Sequence, residues 1–536
     1  MALQADKPRI LIIGSGAAGI AAASRLLKNG IEDVTVLEAE DRIGGRIFSV
    51  KFGKNYIDLG AEWCHGEEDN IVFDLVKDLN LIHPCPHRFP KVYHSKIKNV
   101  DQNFTEELFY LFQSIYLENK TGANCSLGDY LEKRYNEVIQ VWKDDKEKFL
   151  LASDFIGYYN KWMLSHEGSF SLYNITADYD YVECPGHQRL FWNGLGFKAI
   201  LDVLMNSSQR FPILLKKEVS QITWDADVDK TQVSCTDSTS YVADHVIFTP
   251  SLGVLKEKHL TLFKPPLPAE KAEAIQNLGF DSSFKVFMHF SKRWWDDNFL
   301  GYIFVWDKDD LDVKNFPAKF QQDGKTWLTS TVYVTAVEEN FSVLEVWFAG
   351  DSVPIIEKIS DEMLVDGILY LFSEFSVCKK EELVRPVEII RHNWHSNPNF
   401  RGTYTYQSIK SKTGTNSDQV CLSRPLITST GRKSVLFAGE ATDPCYYSTV
   451  HGAIRSGLEK PTGSSPFTNQ TDEIAFCLCH CIVFNVFLLR LITRNSPKSY
   501  NETYVCMDVH AIRPVTVKKF TIRYDKTLPG DLWLYD

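Results

Sequence analysis

An α/β fold is predicted by three observations. An apolar strand, Arg9 to Ile13, runs straight into Gly14-Ser15-Gly16-Ala17-Ala18-Gly19; an Ala-rich helical stretch and a second strand follow, ending at Glu38; and a late apolar strand returns to another glycine turn at Gly439. Together they predict a Rossmann-like dinucleotide-binding domain with an inserted α+β domain on a mixed-sheet floor, and an atypical C-terminal tail.

Each position of the first motif has a physical reason. Gly14 permits the strand-to-helix turn, Gly16 and Ala18 let the backbone approach a pyrophosphate, and Gly19 lets helix and strand pack closely. The helix N-terminus then points free N–H groups at the phosphates. Glu38 lies close to the ~20-residue spacing expected for the acid that takes the ribose hydroxyls, and an acid there disfavours a 2′-phosphate.

Which dinucleotide is bound is indicated by Arg42-Ile43-Gly44-Gly45-Arg46. This run resembles the motif by which the flavin amine oxidase superfamily holds FAD, with Arg42, Gly45 and Arg46 on the cofactor side.

At 536 residues the chain is too long for one ordinary core. Its 44% hydrophobic and 24% charged residues are those of a globular protein. A net charge of −11 argues against nucleic acid as a partner and favours a cationic ligand. Met1 to Pro8 is too short and polar for a secretory h-region, so a cytoplasmic location is expected. The 12 cysteines are then reduced thiols, and the triplet Asn174-Ile175-Thr176 is a chance match to a glycosylation signal.

The expected organisation is a discontinuous FAD-binding domain (8–90, 200–275 and 412–460), a substrate domain (91–199 and 276–411) and a tail (461–536). Helical, charged segments fill Asn103 to Ser165, and their charge runs read as solvated faces without chemistry. Strands are expected at Val219 to Trp224, Gln232 to Cys235 and Asp244 to Thr249, then at Lys285 to Phe290, Leu300 to Val305, Trp327 to Val334 and Leu344 to Ala349. The last four read as an antiparallel set with an Asp323-Gly324 hairpin turn. Ser434 to Gly439 returns to the first domain, and Thr449 to Leu458 is its helix.

Further blocks narrow the resemblance: Leu59 to Gly66, Phe284 to Phe287, Trp394 to Pro398 with Arg401 to Tyr404, Phe437 to Thr442, and Tyr446 to Ala453. Across residues 8 to 458 the chain resembles the polyamine oxidase branch of the flavin amine oxidases. The resemblance implies that Lys285 holds a water against flavin N5, that His65 faces the substrate amine, and that Tyr404 forms an aromatic wall beside the flavin. It places Glu62, Trp63, Trp394, Gly439 and Glu440 against the cofactor, Val219 at adenine, and Thr449 and Val450 at the flavin pyrimidine. Thr403 stands where covalent relatives carry a flavin-linked cysteine, so FAD is expected to be bound non-covalently.

The implied reaction is oxidation of a neutral secondary amine, hydrolysis of the imine to an aldehyde and a shorter amine, and reoxidation by O2 with release of H2O2. Glu183, before Pro185-Gly186, resembles the acid of spermine oxidases; an anion there pairs with a free terminal ammonium, whereas an acetylated end leaves it unpaired. Spermine is therefore favoured over N1-acetylpolyamines. No motif marks an arginine for the substrate carboxylate of an amino-acid oxidase.

Everything after Lys460 departs from the family, as an appendage, a splice product or a gene-model artefact, and an inactive or scaffolding form is the alternative from a different class. The apolar run Ile474 to Leu489 is shorter than the ~20 residues of a membrane span, and Cys477-Leu478-Cys479-His480-Cys481 lacks metal-site spacing.

Overall fold

The computed structural model describes residues 7–85, 89–225, 230–295, 299–337, 340, 342–378 and 383–459, so the expectations for the tail lie outside the described residues. Four-residue apolar strands at Ile10–Ile13, Val34–Leu37 and His245–Phe248, with Lys433–Phe437 beside them, form the parallel centre of a six-stranded sheet. Ile10 pairs with both His245 and Val34, which puts the first glycine turn at the carboxyl ends of adjacent strands. Ligands of open α/β sheets bind at that edge.

The helix after the turn is Ala17–Lys28, longer than the Ala-rich core of its sequence suggests. It is buried along its length against the sheet and against Val450–Leu458. Close approach explains the small residues: a Cβ on Gly19 would collide with the Gly14 carbonyl, and one on Gly457 with the Ala18 carbonyl.

A second six-stranded sheet runs Glu388–Arg391, Phe284–His289, Val343–Phe348, Thr331–Ala336, Gly301–Val305 and Lys91–His94. The expected strands are antiparallel to one another, but the edge strand Lys91–His94 was not anticipated and pairs parallel to Gly301–Val305. On one face lies a helical layer of Gln102–Tyr116, Leu127–Val138 and Lys146–Glu167. On the other, Phe284, Val286 and Met288 join an aromatic cluster with the helix Asp361–Glu374. Alternation along Phe284–His289 therefore sends Lys285 and Phe287 to the opposite face.

Two expectations are corrected. Trp327–Ser330 is a short 3-10 helix and the strand starts at Thr331, because the Thr326 hydroxyl caps the turn and the Trp327 ring packs against Gly367. The Asp323-Gly324 turn has both residues at positive φ, +52° and +74°, but closes only the small hairpin Gln321–Gln322 with Lys325–Thr326. A separate four-stranded sheet of Ser240–Ala243, Thr231–Cys235, Val219–Thr223 and Phe263–Lys264 sits in the expected region. No helix among the described residues is long and apolar enough to cross a membrane.

Candidate active site

One cavity of about 350 Å3 runs from the glycine turn to the helical layer. Its first end is lined by Gly14, Gly16, Ala18, Glu38, Gly45, Arg46, Val219, Gly439 and Glu440. Gly16 lies beside Gly44, so the two glycine motifs come together in one cradle. The Glu38 carboxylate is buried: Oε2 accepts from the Ser15 amide at 2.8 Å and hydroxyl at 2.7 Å, and Oε1 from the Glu40 amide at 2.9 Å. Glu440 is as fully engaged, accepting from Arg46 Nη1 at 2.9 Å, Thr405 Oγ1 at 3.0 Å and the Ser448 amide at 2.8 Å. Arg46 also donates to the Thr403 carbonyl at 2.6 Å and so ties the cradle to the segment that carries Tyr404.

Gly19 serves the close packing expected of it and does not line the cavity. One sequence-selected residue acts differently from its motif. Arg42 donates to the carbonyls of Gly45 at 2.8 Å, Ile43 at 3.3 Å and Ile47 at 3.4 Å, with its guanidinium 3.9 Å from the Phe48 ring centroid. It holds the loop that the other residues use.

The middle of the cavity contains Glu62, Trp63, His65, Lys285, Trp347, Trp394 and Tyr404. Lys285 Nζ donates to Glu62 Oε2 at 2.7 Å and lies 3.3 Å from Glu345 Oε1 and 4.9 Å from the Trp347 ring centroid. Burial alone would depress its pKa; Glu62 and Glu345 outweigh that and hold the ammonium above its ordinary value. Burial, then Glu62, push the Glu345 carboxyl upward, and burial takes nearby Asp58 up to about 7. Glu62, selected by its motif for the cofactor, is here first the partner of Lys285.

His65 Nδ1 lies 2.7 Å from the Gln188 carbonyl, which only accepts, so that nitrogen carries a proton. Trp63 stacks on Trp347 at 5.6 Å and meets His65 edge-on at 6.2 Å. The Tyr404 hydroxyl donates to the Ser165 carbonyl, and burial pushes it up to about 12, so it stays neutral and holds its ring as a wall. Trp394 is fixed by its Nε1–H to the Leu59 carbonyl at 2.9 Å. Thr449 caps Val450–Leu458, accepting from the Gly452 amide at 2.9 Å, and the helix N-terminus lines the cavity.

The far end carries Glu183 together with Trp162, His166, Glu167 and Tyr447. Of these only Glu183 was marked by sequence; Trp162 falls in the stretch expected to be helical, His166 and Glu167 lie just past its expected end at Ser165, and Tyr447 sits on a motif read for its neighbours. Arg189, also unmarked by any motif, lines the cavity with its guanidinium 4.9 Å from the Trp63 ring centroid.

The donor set fits a flavin dinucleotide. The cradle offers backbone amides and small residues at the strand ends and a buried acid at ribose distance along the chain, and Thr403, with no thiol, lines the wall before Tyr404.

Residues 17–460 match the family of flavin containing amine oxidoreductases. The chain is 30% identical over 485 residues to the peroxisomal N(1)-acetyl-spermine/spermidine oxidase of Homo sapiens, an alignment that covers 84% of this chain and 93% of that protein. It is 27% identical over 536 residues to probable polyamine oxidase 5 of Arabidopsis thaliana (85% and 98% covered), and 29% identical over 487 residues to protein anon-37Cs of Drosophila lebanonensis (84% and 86%). With the cradle, the lysine and the aromatic wall on one cavity, this match means that the chain belongs to the flavin containing amine oxidoreductase family, as an FAD-dependent amine oxidase.

Proposed function

We propose that the protein oxidises a polyamine, with spermine the favoured substrate, at a secondary amine. The products are an aminoaldehyde, a shorter polyamine and H2O2. The amine loses two electrons and two protons to become an imine, and water then cleaves the imine to aldehyde and amine. Bound FAD supplies the two-electron acceptor and delivers those electrons to O2.

The chain's own residues bind, orient and tune. Aromatic rings of Trp63, Trp347 and Tyr404 line the middle of the cavity and confine an aliphatic chain. Lys285, kept cationic by Glu62 and Glu345, orients a water at the reacting end. His65, with Nδ1–H spent on Gln188, presents Nε2 to accept a hydrogen bond from the substrate nitrogen.

The observation that carries the choice of substrate is Glu183, a carboxylate on the cavity wall far from the cradle. If it pairs with a terminal ammonium, Glu183→Leu costs about 1.5–3 kcal/mol in kcat/KM for spermine, the value of a charged hydrogen bond. N1-acetylspermine loses far less at its acetylated end. H2O2 release from spermine, N1-acetylspermine and spermidine, before and after the substitution, checks this; a parent enzyme that prefers the acetylated substrate overturns it. That second reading is favoured by the name of the human relative.

A further inference from the structure

Glu345 is the one charge in the apolar strand Val343–Phe348. It stands opposite Phe287 in the antiparallel pairing, and Trp347 opposite Lys285, so strand alternation puts Glu345, Trp347 and Lys285 on one face. Glu62 and Lys285 line the cavity; Glu345 does not, and stands behind them. Its side chain is 2% exposed against 12% for Glu62. Lys285 Nζ gives Glu62 a short hydrogen bond of 2.7 Å, whereas Glu345 Oε1, 3.3 Å from the same nitrogen, lies outside hydrogen-bond geometry and accepts nothing else from the described residues.

Among the described residues Lys285 is the one cation within ion-pair distance of either acid. Two carboxylates on one buried ammonium leave a net negative charge away from water, and like charges this close do not both ionise near neutrality. The proton goes to the acid that is stabilised least by being charged. Glu62 has the short bond and the cavity edge; Glu345 has the longer contact, the deeper burial and an oxygen without a donor. The other titratable groups facing Glu345 do not supply the missing charge. Asp58, at the end of the strand Asn55–Asp58, is itself an acid and accepts from the Ser49 hydroxyl and from the Phe197 amide at 3.0 Å. Tyr333, on Thr331–Ala336, is driven upward by burial and stays neutral, and His289, further along the Lys285 strand, lies 3.9 Å from Glu388.

We propose that Glu345 is a positioning residue for Lys285 that carries one proton in the resting site, so that Lys285 and Glu62 form a neutral pair at the reacting end of the cavity. The proposal rests on the reading of Lys285 as the residue that orients water there. A protonated Glu345 donates to Glu62 and leaves the ammonium directed at the cavity; a charged one competes with Glu62 for the ammonium from behind.

The pH range follows from the surroundings. Burial, then Glu62, raise the Glu345 carboxyl to about 8 against the pull of Lys285, so its proton is held at neutral pH and lost as pH rises through that value. Lys285, held above its ordinary value, keeps its own proton over the same range. Ionisation of Glu345 therefore adds one negative charge behind the pair.

Infrared difference spectra of the flavin-loaded full chain, taken without substrate between about pH 6 and about pH 10, read the carbonyl stretch of protonated carboxyls directly. The parent is expected to lose one such band with a midpoint of about pH 8, a band absent from Glu345→Gln and retained in Asp58→Asn, the neighbouring acid raised to about 7. Lys285→Met removes the opposing cation and moves that midpoint up by about one pH unit or more. The flavin midpoint potential of the parent falls with pH more steeply above the same point, and Glu345→Gln removes that break. The flavin spectrum and Tm of each variant report that it is folded. A folded Glu345→Gln that keeps every protonated-carboxyl band and the break in potential overturns the proposal, as does a midpoint unmoved in Lys285→Met, which decides alone if Glu345→Gln does not fold. The band and its shift in Lys285→Met, in an enzyme that oxidises no polyamine, support the proton-holding carboxyl and remove only the substrate reading above.

Discussion

The two ends of the cavity treat their carboxylates in opposite ways. At the cradle, Glu38 and Glu440 have both oxygens hydrogen-bonded to neighbouring amides, hydroxyls or a guanidinium. At the far end, Glu167 and Glu183 accept nothing from the described residues and are raised to about 7 by burial. A satisfied buried acid organises backbone and is part of the scaffold; a half-buried one whose carboxylate lines the cavity is left to what enters there. The difference separates residues that shape a cofactor site from residues that select what reacts there, and substitutions at the two ends accordingly differ in what they disturb.

The largest expected effect lies between the ends. Lys285→Met removes an ammonium held by Glu62 and Glu345 without touching the cradle, so the variant retains its flavin while reduction, reoxidation or both slow by about 10²-fold, within the range of a positioned catalytic group. Stopped-flow absorbance separates the half-reactions. Parent rates in both would show that Lys285 is not catalytic, and loss of flavin would erase the distinction between the ends.

Arg46→Ala has the converse signature. It breaks an ion pair with a nearly buried Glu440 and frees the Thr403 carbonyl, which costs about 3 kcal/mol, at the low end for such pairs because Arg46 is partly exposed. Tm and flavin content fall, while the rate per bound flavin stays close to that of the parent. Thermal melts with flavin absorbance, and turnover normalised to flavin, check both halves.

The ends also differ in how readable they were. The cradle was legible because backbone geometry demands particular residues: a glycine turn between strand and helix, an acid a fixed distance on, and a second glycine turn after Phe437. Even there, a motif gives a residue's position but not its use, and Arg42 spends its guanidinium on its own loop. Glu167 was hidden because its helix carries exposed charge runs near its start, and only the last turns, with Trp162 and His166, reach the cavity. Glu345 did leave a signal, one charge in the otherwise apolar strand Val343–Phe348, which strand alternation marks as needing a buried partner. Arg189 left none, since it enters the cavity through the short pairing of Leu190–Phe191 with His83–Pro84.

The smallest expected effect tests whether the cradle's satisfied groups are scaffold in the energetic sense. Thr449 caps the nine-residue helix Val450–Leu458: its hydroxyl oxygen accepts from the Gly452 amide at 2.9 Å and its proton goes to the Tyr446 carbonyl at 2.7 Å. Thr449→Ala leaves that amide without its cap at a site partly open to the cavity, so a loss of about 1 kcal/mol in stability is expected, with parent kcat/KM for spermine. Thr449→Ser keeps the hydroxyl and should restore most of the stability. Denaturant melts of the three proteins read the stability term; a fall in kcat/KM in Thr449→Ala that serine does not repair would move Thr449 from the scaffold to the group of residues that act on the substrate.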